Sequence, residues 1–116
     1  MSLCKGLTCL QCLRLEKLER GGTRLTDEQE RALLLLRSLQ DLEFQDCLNL
    51  VHLPARLHSL PSLKTLSIVC CDYIPRLPRK GLPSSLERLV IYDCSTELRK
   101  QCELLTRGKL RVTMND

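Results

Sequence analysis

Cysteine is the residue type in this sequence with the most chemistry open to it. Eight are spread over 116 residues, at positions 4, 9, 12, 47, 70, 71, 94 and 102. Cys9-x-x-Cys12 has the spacing of half a zinc site, but a closed site needs four ligands and normally a second close pair. Cys70 and Cys71 are adjacent, so they do not supply that pair, and His52 and His58 stand six apart, beyond the usual ligand spacing. A thiolate nucleophile needs a base beside it, and the nearest pairing in sequence is Cys47 with His52. No glycine turn that would cradle an oxyanion accompanies them. The chemistry expected is therefore non-catalytic: not an enzyme, with no metal and no cofactor.

Basic residues form the second group. Arg76, Arg79 and Lys80 cluster, and Arg99, Lys100, Arg107, Lys109 and Arg111 gather near the C-terminus. Single-strand nucleic-acid sites pair such patches with stacking aromatics. The whole chain has three, Phe44, Tyr73 and Tyr92, and no tryptophan. The net charge is only +4, from 18 basic and 14 acidic side chains. No nucleic-acid partner is expected, and most of these charges should simply be solvated.

Nor is a membrane expected. The longest aliphatic run is Ala32 to Leu36, five residues, against the ~18–20 a span needs. The opening MSLCKGLTCLQCLRL is interrupted by Lys5, Gln11 and Arg14, unlike a secretion signal, and Ser2 stands where myristoylation requires glycine. The thiols are accordingly expected to be reduced and the chain cytoplasmic.

What must position these residues is a repeat. Leucine makes up 28 of the 116 residues, and it recurs with order. Leu39, Leu42, Phe44 and Cys47 are matched 24 residues on by Leu63, Leu66, Ile68 and Cys71, and 23 further on by Leu86, Leu89, Ile91 and Cys94. Leu10, Leu13, Leu15 and Leu18 fit the same template upstream, and Leu50-x-x-Leu53-Pro54 matches Ile74-x-x-Leu77-Pro78. The template L-x-x-L-x-L-x-x-(C/L) is the signature of a leucine-rich repeat. The fold class expected is α/β: a short solenoid with a parallel β-sheet on its concave face and loops or short helices on its convex face. It forms one domain, 1–116, with repeats starting near Leu10, Leu39, Leu63 and Leu86 and a C-terminal cap over about 95–116.

Within each repeat the leucines of L-x-L point inward along a short strand, because successive side chains alternate between faces. Cys47, Cys71 and Cys94 turn inward just past the strand and should be buried, with the other five thiols more accessible. Pro54 and Pro78 exclude regular helix from two of the return segments, leaving extended or 3₁₀ backbone. Thr26 with Gln29 makes a capping box, predicting a helix over about Asp27 to Arg37. A second helix is predicted from about Thr96 to Leu105, started by Ser95 or Thr96, and then a closing strand from Lys109 to Met114. The N-terminal side, with Leu3, Leu7, Leu10 and Leu13 and no polar cap, is expected to be an apolar edge through which the chain self-associates.

The same alternation sends Arg14 and Glu16, Glu43 and Gln45, Ser67 and Val69, and Val90 and Tyr92 to the open face. Lys17, Asp41, Asp46, Lys64, Thr65, Glu87, Arg88 and Asp93 lie at its margins. Tyr92 and Arg88 are the strongest single candidates for contact with a protein, since aromatic and arginine side chains dominate interfaces.

The extended pattern L-x-x-L-x-(L/I/F)-x-x-C-x-x-(L/I)-x-x-L-P resembles the C-terminal repeats of plant nucleotide-binding leucine-rich-repeat disease-resistance proteins. Leu60-Pro61-Ser62-Leu63-Lys64-Thr65-Leu66 and Gly81-Leu82-Pro83-Ser84-Ser85-Leu86 look like junctions between such repeats, and Cys94-Ser95-Thr96-Glu97-Leu98 with Gln101-Cys102 resembles the family's ending. The resemblance covers roughly residues 7–116. It implies a recognition module in plant innate immunity, whose protein partner is a pathogen effector, a guarded host protein or the receptor's own nucleotide-binding domain. The family's phosphate-gripping G-x-x-x-x-G-K-(S/T) loop is absent from this chain, so nucleotide binding is not implied for any residue here. Two other readings fit the repeat: substrate recruitment in a ubiquitin ligase, and a purely structural capping array.

Overall fold

Alternating aliphatic residues at two-residue spacing can bury one side of a strand and leave the other to solvent. The computed structural model describes residues 11–16, 24–105 and 110–114, and in it five segments do this. They are β1 (Cys12–Glu16), β2 (Asp41–Gln45), β3 (Thr65–Val69), β4 (Arg88–Tyr92) and β5 (Arg111–Met114). They form one sheet in the order β1-β2-β3-β4-β5, with every neighbouring pair parallel. Leu13, Leu42, Leu66, Leu89 and Val112 pair in one row, and Leu15, Phe44, Ile68, Ile91 and Met114 in the next. Both rows face the core, and the inward side chains of β2, β3 and β4 are fully buried. Phe44, the one aromatic among these rows, takes a leucine's place.

The connections supply the rest of the core. Helix α1 (Asp27–Leu34) starts as its capping box predicts: Thr26 Oγ1 accepts from the Gln29 N–H at 3.1 Å, and Gln29 Oε1 accepts from the Thr26 N–H at 2.9 Å. It stops three residues short of the predicted Arg37. The N–H groups of Leu35 and Leu36 donate to Ala32 and Leu33, closing the helix with tight i→i−3 bonds. Leu33, Leu36 and Leu39 are all buried, and their spacing of three suits a three-residue turn better than a continuing α-helix.

A 3₁₀ turn at Leu57–Ser59 follows Pro54, as the proline predicts, and no regular element follows Pro78 before β4. Helix α2 (Thr96–Glu103) is capped by Ser95, whose Oγ accepts from the Leu98 N–H at 3.1 Å and donates to the Ile74 carbonyl at 2.7 Å. It ends two residues before Leu105, again in i→i−3 bonds from Leu104 and Leu105. The closing strand begins at Arg111; Lys109 lies outside the described residues.

Each of β2, β3 and β4 is followed by a residue in the left-handed region: Asp46 (φ 54°), Cys70 (φ 56°) and Asp93 (φ 54°). That turn swings the next side chain, a cysteine, back toward the sheet. The Cys47 thiol lies 3.5 Å from both the Gln45 and Leu15 carbonyls. Cys71 reaches Val69 at 3.3 Å and Phe44 at 3.6 Å, and Cys94 reaches Tyr92 at 3.3 Å and Ile68 at 3.2 Å. A thiol has one hydrogen, so each shares it between two carbonyls at the strand ends.

Two expectations about these thiols need correction. Cys94 is half-buried rather than buried, because the chain leaves it directly into α2 instead of an extended return segment. Cys102, expected among the accessible thiols, is fully buried, because it stands one helical turn from Leu98 on the inner face of α2. The six described cysteines are free; Cys4 and Cys9 lie outside the described residues. So do Leu3, Leu7, Leu10 and Leu18, and with them most of the predicted apolar edge and the start of its repeat, while Leu13 and Leu15 are buried. No helix among the described residues is long and apolar enough to cross a membrane.

Candidate functional site

The open face of the sheet carries three rows of side chains, set by the same register that builds the core. Cys12, Asp41, Thr65, Arg88 and Arg111 form the first row. Arg14, Glu43, Ser67, Val90 and Thr113 form the second, and Glu16, Gln45, Val69 and Tyr92 the third. The residues predicted to point outward from β1 to β4 all do so and none is in the core, while Lys17, predicted at the margin, lies outside the described residues. Arg14, Glu16, Arg88 and Tyr92 are exposed, and Glu43, Gln45, Ser67, Val69 and Val90 are half-buried.

The two halves of the face differ in how far they satisfy themselves. On β1 and β2, Arg14 and Glu43 are neighbours in register and form an ion pair at 3.6 Å. Beside them the Cys12 thiol donates to the Asp41 carboxylate at 3.3 Å, and that hydrogen bond pushes the thiol's pKa up. These charges already have partners. On β3 to β5 the register sets Arg88 directly beside Arg111, with exposed Lys64 just ahead of β3. Like charges on neighbouring strands repel, at strand separations of roughly 4.8 Å. Next to them Val69, Val90 and Tyr92 make an apolar patch, with Tyr92 opposite Val69. Tyr92 is 38 % exposed, large for an aromatic on a strand.

Beyond the strand ends the sign reverses. Asp46 and Asp93 flank Cys70, whose thiol points at the Asp93 carboxylate at 3.8 Å. Desolvation first, then the two carboxylates, raise the pKa of Cys70. Burial similarly pushes up Cys94, and it pushes Cys102 up to about 12. For Cys71 the hydrogen bond with the Cys47 thiol is the main cause of a strong rise, followed by burial. These thiols are hydrogen-bond donors held in the protonated form. Among the described residues no group of three or more histidine, cysteine or acidic side chains is placed to hold a metal ion.

Cys12, Arg111 and Thr113 are residues of this face that sequence reasoning missed, and Arg111 is the charged one. The Arg111 segment has no L-x-x-L-x-L template, so only pairing with β4 reveals that Arg111 extends the Arg88 row. The left-handed turn was also hidden, although its signal was present: a small residue, aspartate or cysteine, precedes each repeated cysteine. No family model, curated protein or solved structure matches the chain.

Proposed function

We propose that the chain is a leucine-rich-repeat solenoid serving as a non-catalytic protein-recognition module, with the open sheet face as its concave binding surface. The residue resemblance to plant disease-resistance receptors makes the partner a pathogen effector, a guarded host protein or the nucleotide-binding domain of such a receptor, met in the cytoplasm. One observation carries the reading of the surface: on β3 to β5 an apolar patch of Val69, Val90 and Tyr92 adjoins an arginine pair that no carboxylate row answers. An aromatic anchor on the same strand as an unanswered arginine, with Val90 between them, is the composition of an interface centre. The ion-paired β1 and β2 side fits a rim.

The test is a binding panel against candidate effectors and receptor nucleotide-binding domains, read by calorimetry. Tyr92→Ala should weaken the interaction at least tenfold, about 1.4 kcal/mol. Arg88→Glu with Arg111→Glu should weaken it further, and Glu43→Lys should alter it by breaking the rim pair. Circular dichroism and melting should stay near wild type for each. Retained binding in Tyr92→Ala and in the arginine variant would remove this face as the binding surface.

A further inference from the structure

A second concave surface lies away from the sheet face, where the two proline-containing return segments meet the start of α1. The repeat builds it. His52 and Arg76 hold the same position in successive copies, each one residue before a buried leucine, Leu53 or Leu77, that is followed by proline. Those leucines pin both segments to the core, and the prolines fix their backbone. After Pro78 the chain turns through Arg79 and Lys80, and the Gly81 N–H closes the turn on the Pro78 carbonyl at 2.9 Å. Gly81 takes φ 89°, which other residues rarely adopt. A cleft of about 470 Å³ results, with Arg24, His52, Arg76, Arg79, Lys80 and Glu30 at its rim.

The charge there is unbalanced. Arg24, Arg76, Arg79 and Lys80 are all exposed and form no ion pair among the described residues. Glu30, the one carboxylate lining the cleft among the described residues, accepts from the Arg56 N–H at 3.2 Å. Four cations line one small cavity against one counter-charge, an excess of three among the described residues. A carboxylate ligand would answer one of them. Phosphate answers more charge per unit volume, and its oxygens match the planar fork of arginine. The volume falls within the ~300–1,000 Å³ of small-molecule sites, so the ligand is compact.

We infer that this cleft binds a compact polyphosphorylated small molecule, held by Arg24, Arg76, Arg79 and Lys80. This site is independent of the sheet face and of the reading given to it.

The test is isothermal titration of the full chain with inositol hexakisphosphate, and separately with tripolyphosphate, at physiological salt. The expected result is saturable one-to-one binding, displaced only by a large excess of inorganic phosphate. Arg76→Glu with Arg79→Glu should raise the dissociation constant at least thirtyfold with an unchanged circular-dichroism spectrum. Arg79→Gln with Lys80→Gln should raise it about tenfold, and this milder pair covers any loss of folding in the first. Lys100→Glu, outside the cleft, should change it less than threefold. Vesicles carrying phosphatidylinositol bisphosphate distinguish the source. Co-sedimentation lost in the arginine variant supports a lipid headgroup, whereas binding of the free polyphosphates alone supports a soluble one. Absence of saturable binding, equal loss in Lys100→Glu, or poly-glutamate binding as tightly as the phosphates would each overturn the proposal.

Discussion

Replacing Cys71 with aspartate tests the inner register at its most enclosed point. The thiol is fully buried, and its polar neighbours are the Val69 carbonyl at 3.3 Å and the Phe44 carbonyl at 3.6 Å, both acceptors, and the Cys47 thiol. An ionised carboxylate there would meet two carbonyl lone pairs and no donor stronger than the Cys47 thiol, so the folded protein should hold the new side chain protonated. Protonating a group with an ordinary pKa near ~3.9 at pH 7 costs about 4 kcal/mol, which is most of the stability of a marginal domain. The sign of the pH dependence follows. The folded state keeps a proton that the unfolded state releases, so stability falls as pH rises above ~3.9, by up to about 1.4 kcal/mol per unit. Urea unfolding followed by circular dichroism at pH 4.5, 5.5 and 6.5, with wild type subtracted, reads this slope directly. Cys71→Ser keeps a donor for the same carbonyls, and it should cost roughly 1 kcal/mol with no slope. A Cys71→Asp penalty below 1 kcal/mol, or one independent of pH, would show that position 71 reaches water and that the register is wrong.

Three further outcomes are expected. Wild-type stability should hold up to about pH 9 and fall above it toward about pH 12, because Cys71 and Cys102 are raised above 9.0 in the folded state while the unfolded chain ionises. Two such thiols give a slope of up to about 2.7 kcal/mol per pH unit, and a melting temperature flat to pH 11 would contradict it. Cys70→Gly should stabilise the protein by up to ~1 kcal/mol in urea, since cysteine is strained at φ 56° and glycine is not; destabilisation would mean that the thiol's contact with Asp93 outweighs the strain. Alkylation of the native protein should modify Cys12 first, the half-buried Cys70 and Cys94 next, and Cys47, Cys71 and Cys102 last; early labelling of Cys102 would show that α2 does not dock as described.

The rows of the sheet were legible because alternation and a recurring offset are both written in residue type. Leu42, Leu66 and Leu89 needed no coordinates to be placed side by side, and neither did the outward Glu43, Ser67 and Val90. The helix ends were less legible. Where α1 stops depends on carrying Leu36 and Leu39 into the core, a tertiary requirement that a capping box at Thr26 does not express. Cys102 illustrates a related limit: its burial comes from the face that α2 turns inward, and a single cysteine among charged neighbours gives little sign of that. At the open face of the sheet, composition showed both charge signs but not their segregation. Arg14 and Glu43 cancel while Arg88 and Arg111 reinforce, and that distinction exists only once β1 pairs with β2 and β4 with β5.

The strands begin 29, 24, 23 and 23 residues apart, yet each meets its neighbour with no offset along the sheet. Five strand residues, from β2 to β4 the left-handed residue after them, and then the cysteine, hold a constant frame, and the path between frames absorbs the difference in length. Duplication of one 23- or 24-residue unit would therefore insert a strand whose backbone finds matching partners on both sides, lengthening the open face by roughly 4.8 Å. Loss of a unit would shorten it by the same step. Changes of one or two residues would be tolerated in the return path and would be ruinous inside the frame, where a single-residue slip turns leucines outward. The architecture thus separates two kinds of genetic change. Unit number sets how wide the open face is, and point substitution in the outward rows sets which side chains it presents.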